Sequence, residues 1–328
     1  MIASIAAMTV LLTAPANINQ ERIKLIPSGE NIVFKMNTKG VIVTGTYDVN
    51  HDKGSYNPEK NSDIKRGDII LKINNKSVDS LNDLVGNIKN SEQLDLEISR
   101  NNQILNKTLK IYTINNVKKS GLYVKDRVLG VGTITYIDPK NMYYGALGHE
   151  VVDLDTKKKV DIIDGEIYSN PVVSVSKGSN QHPGEKISQT KLDCKVGSIG
   201  INSDKGMFGK YYQDVSKLKA YEIGYQNEVK KDTAYVLTCI KDNEVKPYEI
   251  KITETRNQDL SQTKSFTFKI TDKTLLEKTG GVFSGMSGSP IIQNNRLIGS
   301  VTHVLVDSVE YGYGLYIENM YNQQSKLS

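Results

Sequence analysis

Short apolar runs separated by turn residues recur through the last two thirds of this 328-residue sequence. Runs of four to eight apolar residues between turns are typical of strands, and long helical periodicity is hard to find here. Many short strands within about 200 residues favour a β-barrel or a β-sandwich. The runs occupy residues 131–137, 160–163, 172–175, 236–240, 250–253 and 266–270.

The charge balance excludes several classes of protein. Lys and Arg number 42 and Asp and Glu number 37, which leaves a net charge of +5. The longest basic run is Lys157-Lys158-Lys159, so the sequence predicts no nucleic-acid partner. Hydrophobic residues make up 38% of the chain, which excludes a wholly disordered chain and a polytopic membrane protein.

The N-terminal residues predict export. Residues 2–14 are apolar or small, and these 13 residues are too few to span a bilayer. A small-x-small site, Ala14-Pro15-Ala16, follows them as in a secretory signal, although the first basic residue is Arg22. We expect residues 1–16 to be a signal peptide or a signal anchor that keeps the protein near a membrane, and residues 17–28 to be a linker. In an exported protein the two cysteines, Cys194 and Cys239, form one disulfide or stay as two buried free thiols.

Residues 29–114 predict a small α+β domain. An apolar run at residues 40–43 precedes a turn at Gly67 and Asp68, a strand, a helix capped by Ser80 and a hairpin. Gly67 and Asp68 are expected to form the turn rather than to touch a ligand. This order, with the segment Gly67-Asp68-Ile69-Ile70-Leu71-Lys72-Ile73-Asn74, resembles a PDZ domain.

A PDZ domain adds an extended peptide to a sheet edge and often captures its terminal carboxylate on loop amides. The resemblance therefore implies a ligand peptide as a partner, and the alternative is a packing module without a ligand. The implied carboxylate loop and edge strand consist of Lys39, Gly40, Val41, Ile42 and Val43.

The sharpest motif is Gly285-Met286-Ser287-Gly288-Ser289-Pro290, which leads into an apolar hairpin. Its glycines let the backbone adopt conformations that a side chain forbids. The amides of Gly285 and Ser287 are then able to face one oxyanion while the Ser287 hydroxyl stays exposed. The motif resembles the nucleophile loop of chymotrypsin-like peptidases. Ser289 is the rival nucleophile and is expected to be a hydrogen-bonded turn serine.

A serine nucleophile needs a base, and the chain has four histidines. His51 and His182 lie in polar loops, and His303 follows the nucleophile hairpin. His149 lies among small residues and precedes Ser287 by 138 positions, so we expect it to be the base. Spacing alone leaves the orienting acid open among Asp153, Asp161, Asp164, Asp193 and Asp272.

Longer blocks of sequence point to one family. The segment Gly145-Ala146-Leu147-Gly148-His149 and residues 271–281, which run into the serine motif, look like the stage IV sporulation protein B peptidase family. The resemblance covers about residues 25–320. It implies a triad of His149, Asp272 and Ser287. It also implies a mainly β protein, in which a PDZ domain (29–114) precedes a chymotrypsin-like β-barrel serine peptidase domain (118–328).

The expected reaction is peptide hydrolysis through an acyl-enzyme, without a metal or an organic cofactor. Family members act in endospore formation, so the resemblance implies secretion from the forespore into the space between the two membranes. It implies self-cleavage and cleavage of a membrane-anchored regulator of an intramembrane protease, which activates a sigma factor in the mother cell. The alternatives are a catalytically inert PDZ-containing signalling protein and a general exported quality-control protease.

Overall fold

The computed structural model describes residues 22–189, 191–257 and 263–327. About 52% of it is strand and 12% helix, which confirms the predicted mainly β class. The predicted signal segment, residues 1–16, lies outside the described residues. Within the described residues, no helix is long and apolar enough to cross a membrane.

Strands dominate every part of the described chain. Up to residue 121 the elements are β1 (Lys24–Pro27), β2 (Asn31–Thr46), β3 (Val49–His51), β4 (Gly54–Tyr56), α1 (Pro58–Ser62), β5 (Ile69–Ile73), β6 (Lys76–Ser77), α2 (Leu81–Lys89), β7 (Gln93–Arg100), β8 (Gln103–Lys110), β9 (Tyr112–Ile114) and β10 (Val117–Lys119). They continue with β11 (Leu122–Ile137), β12 (Tyr143–Ala146), β13 (Ile162–Ser169), β14 (Val172–Val175), β15 (Lys186–Ser188), β16 (Lys195–Ile199), β17 (Ile201–Ser203), β18 (Gly206–Lys210) and β19 (Tyr221–Glu222). The last elements are a 3₁₀ turn (Gln226–Glu228), β20 (Thr233–Cys239), β21 (Val245–Thr255), β22 (Phe266–Ile270), α3 (Lys273–Thr279), β23 (Pro290–Gln293), β24 (Arg296–Val304), β25 (Tyr311–Tyr316), α4 (Ile317–Gln324) and a 3₁₀ turn (Ser325–Leu327).

The C-terminal strands form a closed six-stranded barrel in the order β20-β21-β22-β25-β24-β23. Alternate residues of these strands point inward, and side chains such as Val236, Phe266 and Phe268 fill the centre. The predicted hairpin after the serine motif is β23 and β24, joined at Asn294 and Asn295 with φ of 50° and 59°. Two successive positive φ values are what a tight hairpin turn requires, and Asn tolerates them.

A second sheet curls around the other large core of the peptidase half. Its strands lie in the order β16-β13-β2-β11-β12-β18-β17, all antiparallel. Ile32, Phe34, Ile134, Tyr144 and Ile167 belong to this core. The strand β1 pairs with the end of β11 and with β19, so part of the predicted linker is a strand of this sheet.

The long strands β2 and β11 leave this sheet and continue into the predicted α+β module. The first part of β2 and the last part of β11 belong to the curled sheet. Val41 and Val43, further along β2, lie in a separate core together with Ile70, Leu84 and Leu96. The module is therefore inserted between two strands of the peptidase half. The predicted domain boundaries at residues 29 and 118 therefore differ from the structure. Residues 31–38, which were assigned to the α+β domain, pair with β13 of the peptidase half.

The predicted peptide-binding residues Lys39, Gly40, Val41, Ile42 and Val43 lie inside the sheet. Strand β5 pairs with Val41 and Ile42 on one side, and β11 pairs with Ile42 and Val43 on the other. Because both edges of this segment are already hydrogen-bonded, an added peptide strand has no backbone to pair with there. The structure thus contradicts the prediction that this segment is an edge strand.

The predicted turn at Gly67 and Asp68 is confirmed. Gly67 has a φ of +91°, and the buried carboxylate of Asp68 accepts a hydrogen bond from the amide of Lys65. Arg100 also donates to both carboxylate oxygens of Asp68 at 2.7 Å. This carboxylate fixes the turn and holds β7 beside it, as expected for a structural residue.

Candidate active site

His149 and Ser287 line one cleft between the curled sheet and the closed barrel. The cleft has a volume of about 660 Å³, and His303, Lys125 and Asp153 also line it. His149 follows β12 of the curled sheet, and Ser287 precedes β23 of the barrel. The structure therefore brings together the base and the nucleophile predicted from the sequence.

Thr133 of β11 holds the loop that carries Ser287. Its amide donates to the Ser287 carbonyl at 3.1 Å, and its hydroxyl donates to the Gly285 carbonyl at 3.0 Å. Gly288 fits because it has no side chain: its φ is +91°, and a Cβ there would lie 2.0 Å from the Thr133 carbonyl oxygen. The loop is consequently pressed against the curled sheet.

The amides of Gly285 and Ser287 belong to two peptide groups that are each fixed by a hydrogen bond to the carbonyl oxygen. The Ser284 carbonyl accepts from the amide of Lys186 at 2.9 Å, and the Met286 carbonyl accepts from that of Ser289 at 3.0 Å. In a trans peptide the N–H points opposite to the C=O, so the next amides point the other way. Neither amide donates to any acceptor in the described part of the chain, which agrees with the predicted oxyanion hole.

The ring of His149 is held by the backbone rather than by an acid. Its Nδ1 lies 2.8 Å from the Glu150 carbonyl oxygen, which only accepts, so Nδ1 carries the proton and Nε2 keeps its lone pair. Burial lowers the pKa of His149 below its ordinary value of 6.5 by more than the Glu150 carbonyl raises it. A neutral ring with a free Nε2 is the form that a general base requires.

The Ser287 hydroxyl does not hydrogen-bond to His149 in this structure. It donates instead to the Thr302 carbonyl at 2.9 Å. The ring of His303 lies 5.0 Å from that of His149, centre to centre, and its pKa is lowered to about 4 by desolvation and by the neighbouring His149 and Lys264. Two adjacent imidazoles thus stay neutral at pH 7. The sequence showed only that His303 follows the nucleophile hairpin, and the structure locates it in the cleft.

The structure does not bring Asp272 to His149. Asp272 is the N-cap of α3, and its carboxylate accepts from the Leu275 amide at 2.8 Å. No hydrogen bond or ion pair joins His149 to any of the five candidate acids within the described ranges. Asp153 is buried at the cleft but is paired with Lys125 at 2.6 Å. The triad role of Asp272 that the resemblance implies stays a prediction.

The structure also shows the surroundings of the rival serine, Ser289, and of the two cysteines. Ser289 is fully buried, and its hydroxyl donates to the Thr238 hydroxyl at 3.0 Å, so the expected turn serine is confirmed. Cys194 is exposed and Cys239 is buried, and both are free thiols. The alternative of free thiols is thus confirmed, although only one of them is buried.

Three groups that position the site were missed from the sequence. They are the Glu150 carbonyl, the Thr133 hydroxyl and the side chain of Lys186, whose Nζ donates to Thr133 at 3.1 Å. A backbone carbonyl has no residue-type signal, and Thr133 lies in an apolar strand run. Lys186 lies in the segment Pro183-Gly184-Glu185-Lys186-Ile187, which also resembles the family, but that resemblance gives Lys186 no role.

A Gly-flanked serine and a histidine in a cleft beside a closed β-barrel define a chymotrypsin-like serine peptidase as the class of this protein. The residues 115–321 match the sequence family described as SpoIVB peptidase S55. The chain belongs to this family and is a serine endopeptidase. The match begins at residue 115 and so leaves out most of the inserted module, whose PDZ assignment stays a prediction. Among curated proteins, none matches the chain significantly.

We expect the activity to fall at low pH with a midpoint below 6.5. The base must be neutral, and burial lowers the pKa of His149, so the ring stays active until the pH falls through that lowered value. The pH profile of kcat/KM measures this, with circular dichroism at each pH as a control for folding. A midpoint above 7 would contradict the buried, carbonyl-bonded ring.

We expect Asp272→Ala to lower the free energy of unfolding by about 1 kcal/mol, because α3 loses its N-cap. Asp272→Asn keeps a capping oxygen and is expected to melt like the wild type, which thermal denaturation measures. Equal stability of the Ala variant would contradict the capping role.

The Asp272→Asn variant also tests the triad, because a fall in kcat of the order of 10⁴ at unchanged stability requires the carboxylate. Retained kcat leaves the Glu150 carbonyl as the orienting group.

Proposed function

We propose that His149 and Ser287 hydrolyse peptide bonds in this SpoIVB-type serine peptidase, and that the protein is an exported signalling peptidase of endospore formation. The observation that carries the catalytic part is the shared cleft. In it, the Nδ1 of His149 is held by the Glu150 carbonyl, and the amides of Gly285 and Ser287 have no acceptor among the described residues. The signalling part rests on membership of the family alone.

The proposed reaction begins when the Ser287 hydroxyl turns from the Thr302 carbonyl towards Nε2 of His149. Such bonds often form only once substrate is bound. The oxygen attacks the peptide carbonyl, His149 takes the proton, and the amides of Gly285 and Ser287 stabilise the oxyanion. Each such donor contributes about 3–4 kcal/mol in related enzymes. His149 then protonates the leaving amine, and water repeats the cycle to release the acyl group.

The free edge of β11 supplies backbone groups for a peptide substrate. Residues 127–133 pair continuously with β2 on one side. Thr133 directs its amide and carbonyl away from β2, to Ser287 and Leu147. Because this direction alternates along an antiparallel pair, Val131, Leu129 and Arg127 also face away from β2. They line the cleft, so a substrate strand added there leads to Ser287.

An apolar cavity of about 460 Å³ adjoins the two catalytic residues. Val282, Phe283, Val301, Val304 and Val306 line it together with Ser284, Thr302 and His303. Among the described residues, no carboxylate or ammonium lines it. A charged side chain would lose its hydration there without gaining a charge of opposite sign among the lining residues. The cavity therefore favours a substrate with an apolar side chain next to the cleaved bond.

The biological part of the proposal follows the family. It comprises secretion from the forespore, self-cleavage near the N-terminus, and cleavage of a membrane-anchored regulator of an intramembrane protease that activates a mother-cell sigma factor. The predicted signal segment supports export. The mild and dispersed net charge of +5 gives no support to a nucleic-acid partner.

Ser287→Ala is expected to abolish both fluorophosphonate labelling and self-cleavage, because it removes the attacking oxygen. Ser289→Ala is the matched control, and it is expected to label and to cleave, since Ser289 is buried and bonded to Thr238. Intact-mass spectrometry follows both reactions in the full chain. Folded wild type that neither labels nor cleaves would favour an inert binding protein. Broad cleavage of unfolded proteins would favour a quality-control protease.

Peptides with Leu or Val before the cleaved bond are expected to react at least tenfold faster than matched peptides with Asp or Lys. The reason is the desolvation of a charge in the apolar cavity. Rates of kcat/KM on a matched peptide series measure this preference. Val306→Asp adds a carboxylate at the partly exposed rim and is expected to raise the relative rate for Lys. Equal rates across the wild-type series would contradict the assignment of the cavity.

A further inference from the structure

Lys186 is a buried cation without an acidic partner. Only 4% of its surface is exposed, and among the described residues its ammonium hydrogen-bonds to the Thr133 hydroxyl and to no carboxylate. The ring of Phe283 lies 6.0 Å from Nζ and partly compensates the charge. Burial lowers the pKa of Lys186 to about 8. Burying an ammonium without an ion pair lowers the free energy of unfolding, so the presence of Lys186 here indicates a role other than stability.

The position of Lys186 is directly behind the nucleophile loop. Its amide donates to the Ser284 carbonyl at 2.9 Å and so directs the next amide, that of Gly285, towards the cleft. Its side chain packs on the same glycine, since a Cβ placed on Gly285 would lie 2.8 Å from the Cβ of Lys186. The backbone and the side chain of Lys186 therefore both act on one residue, Gly285.

The ammonium also determines the direction of the Thr133 hydroxyl. An ammonium only donates, so the Thr133 oxygen accepts from Nζ, and its single hydrogen is left for the Gly285 carbonyl. The relay from Lys186 through Thr133 to Gly285 has bonds of 3.1 and 3.0 Å. Without the ammonium, the hydroxyl is free to rotate, and the Gly285 carbonyl loses its fixed donor.

We propose that Lys186 is a positioning residue, which holds the Gly285 amide in the oxyanion hole by fixing the Thr133 hydroxyl on the Gly285 carbonyl. Lys186 does not touch substrate, and it acts only through Thr133 and the loop. The inference rests on the proposed role of Ser287, because it concerns the geometry around that nucleophile. According to this proposal, catalysis also depends on Thr133 of the curled sheet and on Lys186 of the β14–β15 hairpin.

The test is a double-mutant cycle of Lys186→Met and Thr133→Val in the full chain. Each single change is expected to lower kcat and the rate of fluorophosphonate labelling at least about tenfold with little change in KM, because a displaced oxyanion donor affects the transition state. The double variant is expected to be no slower than the slower single variant, because both changes interrupt one relay. Lys35→Met is the control, since Lys35 pairs with Glu166 outside the cleft.

The outcomes separate this inference from the proposed function. If wild type does not label at Ser287, the proposed nucleophile is wrong. If wild type labels and Lys186→Met labels equally fast, or if the losses of the two single variants multiply, the relay is wrong. If Lys186→Met does not show a cooperative melting transition, Thr133→Ser and Thr133→Val decide. The relay requires that Ser retain the rate and that Val lose it, and equal rates overturn it.

Discussion

The hydrogen bonds of Thr133 to the Ser287 loop join the two halves of the peptidase. Thr133 is fully buried in β11, a strand of the curled sheet, while the loop belongs to the closed barrel. Its amide, carbonyl and hydroxyl bond respectively to Ser287, Leu147 and Gly285. One residue thereby sets the spacing between the loop that carries the nucleophile and the loop that carries His149. The cleft exists because these two loops share a hydrogen-bonding partner.

The electrostatics of the cleft favour neutral imidazoles. The rings of His149 and His303 lie close together. Burial opposes protonation of His149, and both burial and the neighbouring His149 oppose protonation of His303. Among the acids that line the cleft, Asp153 is already paired with Lys125, and Glu150 raises the pKa of His149 by less than burial lowers it. The orientation of His149 by a carbonyl fixes the tautomer without adding a negative charge. A carboxylate in that place would raise the pKa of the ring instead.

The inserted module is coupled to the catalytic cleft by covalent continuity. Strand β11 has 16 residues, beginning beside the module core and ending in the curled sheet, and its middle lines the cleft. Strand β2 runs beside it over the same length. A paired ribbon of this kind transmits a displacement at one end to the other more directly than a flexible linker does. The module therefore has a structural route to the site.

The sequence by itself predicted the class of structure and the candidate reactive side chains. The short apolar runs predicted a β protein, and the Gly285-to-Pro290 motif with its hairpin predicted the nucleophile loop, because these signals are local in the chain. His149 was selected by its neighbours and by its order before Ser287. The turn at Gly67 and the hydrogen-bonded Ser289 also followed from residue type and local context, whereas the sequence left open whether the two cysteines pair.

The tertiary structure decided what depends on pairing between distant segments. Whether residues 40–43 are an edge depends on β11, which lies about 80 residues away, and no local pattern encodes that partner. The predicted boundary of the inserted module was wrong for the same reason, because β2 and β11 each contribute side chains to two cores. The orienting group of His149 is a backbone carbonyl, which every residue carries, so spacing among carboxylates was not able to reveal it. The relay from Lys186 through Thr133 likewise joins positions 53 residues apart, which only the folded chain brings into contact.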